Sequence, residues 1–398
     1  MRAVGIICEY NPFHSGHSFH IRRARKMTGL PVVCAMSGHF VQRGELAVMN
    51  KFARAETAVR CGADLVLELP LPWACAGAGT FAAGGVGLLA GTGIISQLAF
   101  GSESADLSAI TAAARLDGDS QVNDRIRTLL SGGMEYAAAR EQAIQEADPA
   151  AGALLASPND ILGVEYVREI RENGYPITPL PIRREGARHD GAPDGDYASA
   201  SHIRALLRAG QTEEALSFLP AAAQSVFIRE TQAGRAPVDG RSLDTAILSV
   251  LRRMTAQDFA VLPDISEGLE YRLARAAQAA LDPADFCARA KTRRYSHARL
   301  RRICMAAFLG LRQGLTNAPV PYARVLAFND TGRALLREIR GIPVITKAAD
   351  GRALGTEAAA CLSLEAQADD LFALAYPSRA CRFGGQGWTQ SPVYVRTI

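Results

Sequence analysis

No run of eighteen apolar residues occurs in the 398-residue chain, so no segment is expected to cross a membrane as a helix. Met1-Arg2-Ala3 leads into an apolar run that ends at Glu9, too short for the core of a signal peptide; a cytoplasmic protein is expected. The eight cysteines (Cys8, Cys34, Cys61, Cys75, Cys287, Cys304, Cys361, Cys381) form no Cys-x-x-Cys pair, and no histidine stands at zinc-finger spacing, so no metal site is expected and the thiols fit a reducing compartment. There is no Gly-Lys-Ser/Thr and hence no P-loop. Gly77-Ala78-Gly79-Thr80-Phe81-Ala82 has the look of a dinucleotide fingerprint but follows Pro70 and Pro72 instead of a strand, so its small residues are expected to serve close helix packing. No Ser/His/Asp constellation or haem motif is present. Finally, Asp and Glu are missing from all 44 residues between Phe286 and Asn329.

What is present is the composition of a folded protein, 48% hydrophobic and 21% charged, in a chain long enough for two cores. Residues 1 to 210 hold 20 Lys and Arg against 22 Asp and Glu, whereas residues 211 to 398 hold 24 against 18. Gly210 is therefore read as a boundary between domains 1–210 and 211–398, with any polyanion gripped mainly by the second. The sequence carries no signal of oligomeric state.

Val4-Gly5-Ile6-Ile7-Cys8 reads as a buried parallel strand that Asn11-Pro12 stops, and a helix is expected to begin near Gly16. His14, Gly16 and His17 then stand at a helix N-terminus, where unpaired N–H groups and the helix dipole attract phosphate. The two imidazoles can donate hydrogen bonds to a phosphoryl group under attack. Further strands are expected at Pro31–Met36, Asp64–Leu69, Gln97–Phe100 and Ile177–Ile182, the last demoted to an edge by its prolines. The polar loop after the second, with Gln42, Arg43 and Glu45, should lie beside a ligand bound at the strand ends. Ser157-Pro158-Asn159-Asp160 reads as a helix start. Ala198-Ser199-Ala200-Ser201-His202-Ile203-Arg204 reads as a serine-rich turn that opens another, with Ser201 as its cap and Arg204 on its first turn. Gly186 to Tyr197 has the composition of a mobile loop.

The stretch Glu9-Tyr10-Asn11-Pro12-Phe13-His14-Ser15-Gly16-His17 resembles the HxGH signature of the nucleotidyltransferase superfamily. With Met36-Ser37-Gly38-His39-Phe40-Val41-Gln42-Arg43-Gly44-Glu45, Ala63-Asp64-Leu65-Val66-Leu67-Glu68-Leu69-Pro70 and Phe100-Gly101-Ser102-Glu103, it is similar to the bacterial tRNA-Met cytidine acetate ligase family through most of the chain. The resemblance implies an α/β, doubly wound, Rossmann-like parallel sheet followed by a mostly helical C-terminal domain. It also implies a ligase that makes acetyl-adenylate from ATP and acetate and acetylates the wobble cytidine of elongator tRNA-Met. On that resemblance His14, His17, Ser201 and Arg204 are the catalytic group. Ile7, Asn11, Pro12, Gly16, His20, Gly101, Asn159 and Arg184 join the histidines around ATP, with Mg2+ accompanying it. The sequence departs from the family at Arg188, which precedes His189-Asp190 where Gly-Tyr is expected. Two rival readings remain at this point: a small-molecule adenylyl- or cytidylyltransferase, and a non-catalytic RNA-binding protein on the same fold.

The acid-free stretch carries Arg289, Lys291, Arg293, Arg294, Arg299, Arg301, Arg302, Arg312 and Arg324, interleaved with Tyr295 and His297. Ser296 is placed as an N-cap, and Leu300, Ile303, Ala307 and Leu311 form an apolar stripe, so the basic residues are expected on the outer face of a helix. Lys291, Arg294, Arg299 and Arg302 are the expected RNA contacts. Short strand-like runs at Pro343–Lys347 and Ser391–Ile398 have no assigned place.

Overall fold

The computed structural model describes residues 1–184, 197–266 and 268–396. The expected mobile loop up to Asp196, and with it the departure at Arg188, thus lies outside the described residues. The fold is built on an eight-stranded sheet whose strands, in chain order, are β1 (Ala3–Cys8), β2 (Val32–Ser37), β3 (Leu65–Leu69), β4 (Ile95–Ser102), β5 (Thr178–Arg183), β6 (Ala323–Phe328), β7 (Val344–Ile345) and β8 (Val393–Tyr394). Across the sheet they run β8-β6-β3-β2-β1-β4-β5, with β7 also paired to β6. Every pairing is parallel except β3 with β6. The strand β5 stands at the edge, where its two prolines cost no ladder bond to a further strand.

β2 and β3 are buried at every position because helices cover both faces, which explains why they read as continuous apolar runs without alternation. On one face lie α1 (Ser15–Thr28) and α2 (Lys51–Arg60), packed against Val4, Ile6, Cys34 and Met36. On the other lie α3 (Ala78–Gly91) and α4 (Pro158–Glu172), packed against Val33, Ala35 and Leu67. The glycines of α3 permit that approach: a Cβ on Gly84 would sit 2.4 Å from Trp73 and one on Gly85 would sit 2.7 Å from Ile7. The chain moves outward from β1 through β2 to β3 and then returns to the other side of β1 for β4. This reversal leaves a crevice at the C-terminal ends of β1 and β4, the position where open α/β sheets take ligands.

Beyond Gly210 a set of helices encloses a second core, in which Leu243, Phe259, Leu273, Phe286, Leu300 and Ile303 meet. α5 (Ala200–Arg208), just before Gly210, packs through Ile203, Leu206 and Leu207 into the core on the α1 and α2 face of the sheet, whereas the helices of the second core include α6 (His297–Leu309) and α7 (Thr356–Ala373). The chain then comes back to the sheet. β6, β7 and β8 all follow residue 210, so the sheet is assembled from both sides of Gly210, and the strand-like runs without a place in the sequence are β7 and β8. Arg324, from the acid-free stretch, is carried on β6 into the interior, where it is 3% exposed and faces Glu68, Glu365 and Asp369.

Those acids belong to a buried charge cluster that ties α7 to the sheet. Lys51 Nζ lies 2.7 Å from Glu68 Oε1 and 2.9 Å from Asp369 Oδ2, and His39 Nδ1 lies 2.7 Å from Asp369 Oδ1. The ring of His39 stacks on Phe372. The loop that follows β2 is thereby pinned from behind by the C-terminal helix.

Candidate active site

A cavity of about 370 Å³ opens at the crevice, lined by the ends of β1, β4 and β5 and by the N-terminal turns of α1, α4 and α5. His14 is the N-cap of α1, with extended backbone, and Gly16 follows two residues later. Gly16 N donates to His14 Nδ1 over 3.1 Å, while His14 N donates to His17 Nδ1 over 3.3 Å, a reciprocal cap. The absence of a side chain at Gly16 is required here, since a Cβ would stand 2.9 Å from His14 Cε1. Because each Nδ1 accepts from a backbone N–H, the proton of each neutral ring sits on Nε2. Both rings are therefore donors at a helix start and both line the cavity.

They are also held neutral. Burial, with the Arg184 and Arg204 charges adding to it, pushes the His14 imidazole down to about 3. His17 is driven well below its ordinary value by burial, His14 and Arg184, and His20 falls to about 4 through burial and Arg184. Arg43, Arg183, Arg184 and Arg204 line the same cavity, against the single lining carboxylate of Glu9 among the described residues. Burial raises Glu9, and its Oε1 accepts from Gln42 N over 2.9 Å. A space with this balance of cations and neutral donors suits a polyphosphate. Of the apolar lining, Ile7, Phe81, Phe100, Leu162 and Tyr166 belong to one core cluster and suit a flat ring.

The chain matches the HIGH Nucleotidyl Transferase family model over residues 1–386. It is 34% identical to the tRNA(Met) cytidine acetate ligase of Acetivibrio thermocellus over 418 aligned positions, covering 99% of this chain and 100% of that protein. It is 41% identical to the enzyme of the same name from Syntrophotalea carbinolica over 361 positions, covering 87% and 85%. The chain belongs to the tRNA(Met) cytidine acetate ligase family. Its fold is similar throughout to Thermotoga maritima TmcAL in a crystal structure with alpha-thio ATP bound (TM-score 0.92, 31% identity, both chains covered in full) and to the apo form of that protein (TM-score 0.95).

Of the residues that sequence reasoning assigned to nucleotide and catalysis, Ile7, Asn11, His14, Gly16, His17, His20, Gly101, Asn159, Arg184, Ser201 and Arg204 all line this one cavity; Pro12 does not. Gln42 and Arg43 are there too. Asn11 Oδ1 accepts from Val48 N over 2.8 Å, and its buried Nδ2 has no partner. Asn159 is not a cap: Ser157 occupies that position, and Asn159 Nδ2 donates to Glu103 Oε1 over 2.5 Å. The cap of α5 is Ser199, which accepts from His202 N over 3.2 Å; Ser201 lies in the first turn and its Oγ accepts from Arg204 Nη2 over 3.3 Å. The expected cap is thus displaced by two residues, because three small residues in four offer the helix several equivalent starts and packing chooses among them.

Two contributors were assigned no role from the sequence. Glu9 is the carboxyl group of a cationic site, yet by residue type alone it is one letter in a turn. Arg54, fully buried on α2, donates to the carbonyls of Glu9, Ser37, Gly38 and Met49 and so fastens the ends of β1 and β2 to each other. Burial lowers its guanidinium to about 10, which still leaves it charged at neutral pH.

The four expected RNA contacts do not line the cavity. Lys291 and Arg294 are exposed in the connection before α6, and Arg299 and Arg302 donate hydrogen bonds within the protein. Arg299 Nε donates to Asp264 O over 2.9 Å and its Nη2 donates to Ser266 Oγ, while the guanidinium lies 5.1 Å from the Tyr295 ring centre. Arg302 Nε donates to Asp264 Oδ2 over 3.2 Å.

Proposed function

We propose that this protein activates acetate with ATP and transfers the acetyl group to the wobble cytidine of elongator tRNA-Met, yielding N4-acetylcytidine in the cytoplasm. The observation that carries the reading is the pair of neutral, Nε2-protonated histidines at a helix start, in a cavity that also gathers Arg43, Arg184 and Arg204. In the first step an acetate oxygen attacks the α-phosphorus, the bond to the β-phosphate oxygen breaks, and pyrophosphate leaves with the electron pair. His14 and His17 donate to the α-phosphate oxygens as charge builds on them. Arg204, steadied by Ser201, holds the departing pyrophosphate. Ile7, Asn11, Gly16, His20, Gly101, Asn159 and Arg184 shape the nucleotide site, and Pro12 sets the turn that presents His14. In the second step N4 of the cytidine attacks the acetyl carbon, AMP leaves, and a proton is lost from nitrogen.

Among the described residues no three His, Cys, Asp or Glu side chains converge as a metal cage. Mg2+ would therefore ride on the phosphates of ATP, whose oxygens supply the hard ligands it prefers. We assign the chemistry to residues 1–210 and most of the grip on RNA to residues 211–398.

The test is acetate-dependent exchange of labelled pyrophosphate into ATP without RNA, followed by mass spectrometry of nucleosides from tRNA incubated with protein, ATP and labelled acetate. Labelled N4-acetylcytidine supports the reading; exchange that ignores acetate, or none with any carboxylate, overturns it. On the basic face, removing Lys291 and Arg294 is expected to lower the slope of log affinity against log salt by about one unit each. Arg299→Ala and Arg302→Ala are expected to weaken tRNA binding both through lost phosphate contacts and by loosening the Asp264–Ser266 turn that they hold. Filter binding across a salt series checks this; a quadruple variant with unchanged slope would show that this face is solvated surface.

A further inference from the structure

The short hairpin of Phe40–Val41 and Glu45–Leu46 is wedged between the cavity and α6. Its turn residue Gly44 has a φ of +68°, and a Cβ there would stand 2.7 Å from the carbonyl carbon of Arg301 and 2.8 Å from Arg302 N, so the hairpin is pressed onto the helix backbone. The next residue, Glu45, reaches in both directions. Its Oε1 accepts from Arg301 Nη1 over 2.8 Å, and its Oε2 lies 3.5 Å from Arg204 Nη2. One carboxylate thus bridges an arginine of the cavity and an arginine of the basic helix, which are 97 positions apart in sequence.

We propose that Glu45 is a positioning residue that orders the two half-reactions, by delivering its carboxylate to Arg301 while a triphosphate holds Arg204 and returning it to Arg204 once pyrophosphate has left. The proposal rests on the function argued above. Arg204 is 12% exposed in its side chain, its Nη1 is committed to Asn11 O over 2.8 Å, and its buried Nε has no partner, so it has a donor for an arriving phosphate. Burial pulls this guanidinium down and the Glu45 charge is the leading influence opposing that. Arg301, 41% exposed, is open to an RNA phosphate on the same helix as Arg299 and Arg302. When β- and γ-phosphates draw Arg204, Glu45 is left to compete with RNA for Arg301. When they depart, Arg204 shares the carboxylate again and Arg301 is released to RNA. RNA is therefore engaged more tightly after the adenylate has formed than before, which keeps the cytidine out while ATP is still intact.

The experiment measures the dissociation constant of an elongator tRNA-Met transcript with the full-length protein saturated either with α,β-methylene ATP or with 5′-O-(N-acetylsulfamoyl)adenosine, which lacks the pyrophosphate. In the unaltered protein the triphosphate complex is expected to bind tRNA about fivefold more weakly, and in Glu45→Gln and Arg301→Gln that ratio is expected to fall below about twofold. A residue that merely supported the fold would weaken both complexes alike and leave the ratio in place. Equal affinities in the unaltered protein, or a ratio that persists in both variants at an unchanged melting temperature, overturns the proposal. If tRNA binds and N4-acetylcytidine forms but Glu45→Gln keeps the ratio, this inference alone fails; if no tRNA binds in either state, the RNA part of the function falls and this inference with it.

Discussion

His17→Ala is expected to lower turnover by about a hundredfold or more, with a much smaller change in ATP affinity. The asymmetry follows from where the donor acts, since an Nε2–H aimed at the α-phosphate is worth most when charge accumulates there. His17 also accepts the backbone N–H of His14 over 3.3 Å, so alanine removes a cap as well as a donor. His17→Asn separates the two effects: its side-chain oxygen can take over the cap, while the shorter amide does not reach the position of Nε2. The asparagine variant should melt near the unaltered protein and still turn over as poorly as alanine. Recovery of turnover by asparagine would return His17 to a structural role. The pH profile gives an independent check. Both histidines are depressed, His14 to about 3 and His17 well below its ordinary value, so neither is expected to contribute a limb to kcat between pH 6 and 9. A fall in kcat on acidification with a midpoint near 6.5 would contradict neutral donors.

The second large effect is expected in the buried cluster. Lys51 is wholly enclosed, and Lys51→Met leaves Glu68 with the more distant Arg324, whose Nη1 lies 3.4 Å away, and Asp369 with the same group at 3.9 Å and the His39 ring at 2.7 Å. Stranding a buried charge in this way costs about 3–5 kcal/mol of stability, read as a lowered urea midpoint at constant m. Adding Asp369→Asn should restore part of the loss, because one positive and one negative charge then remain. The cluster also predicts a pH dependence. Burial, reinforced by the Glu68 charge, raises Glu365 from an ordinary 4.5 to about 8, and neither of its oxygens has a hydrogen-bond partner. The folded state therefore keeps a proton that the unfolded state gives up. The stabilisation linked to this group is complete below about pH 4.5 and is lost as pH rises toward 8. Glu365→Gln should flatten that decline, and a slope identical to that of the unaltered protein would show that Glu365 ionises normally in the fold.

The two effects differ in how legible they were. His14, Gly16 and His17 declare themselves because a strand, a turn and a helix start lie within fourteen residues, and local sterics fix that geometry. The cluster was invisible: Lys51, Glu68, Arg324, Glu365 and Asp369 are ordinary charged letters, and Arg324 even counted toward a basic surface. Its burial comes from β6, an antiparallel strand that enters the sheet beside β3 only after β4, β5 and the helices that follow them. Nothing in the period-two or helical pattern of either strand names the other as its partner.

By itself the sequence determined the five strands β1 to β5, the helix start that carries His14, Gly16 and His17, and a ligand site near the strand ends. Each follows from apolar runs and turn residues, which act over tens of residues. The tertiary structure alone decided that the sheet is completed from beyond Gly210, that Ser199 and not Ser201 caps α5, that Arg299 and Arg302 spend donors on Asp264, and that Glu45 joins the cavity to the basic helix. These outcomes depend on which surfaces meet when the chain closes on itself, and a side chain's partner hundreds of positions away is fixed by that packing and by no local preference of its own.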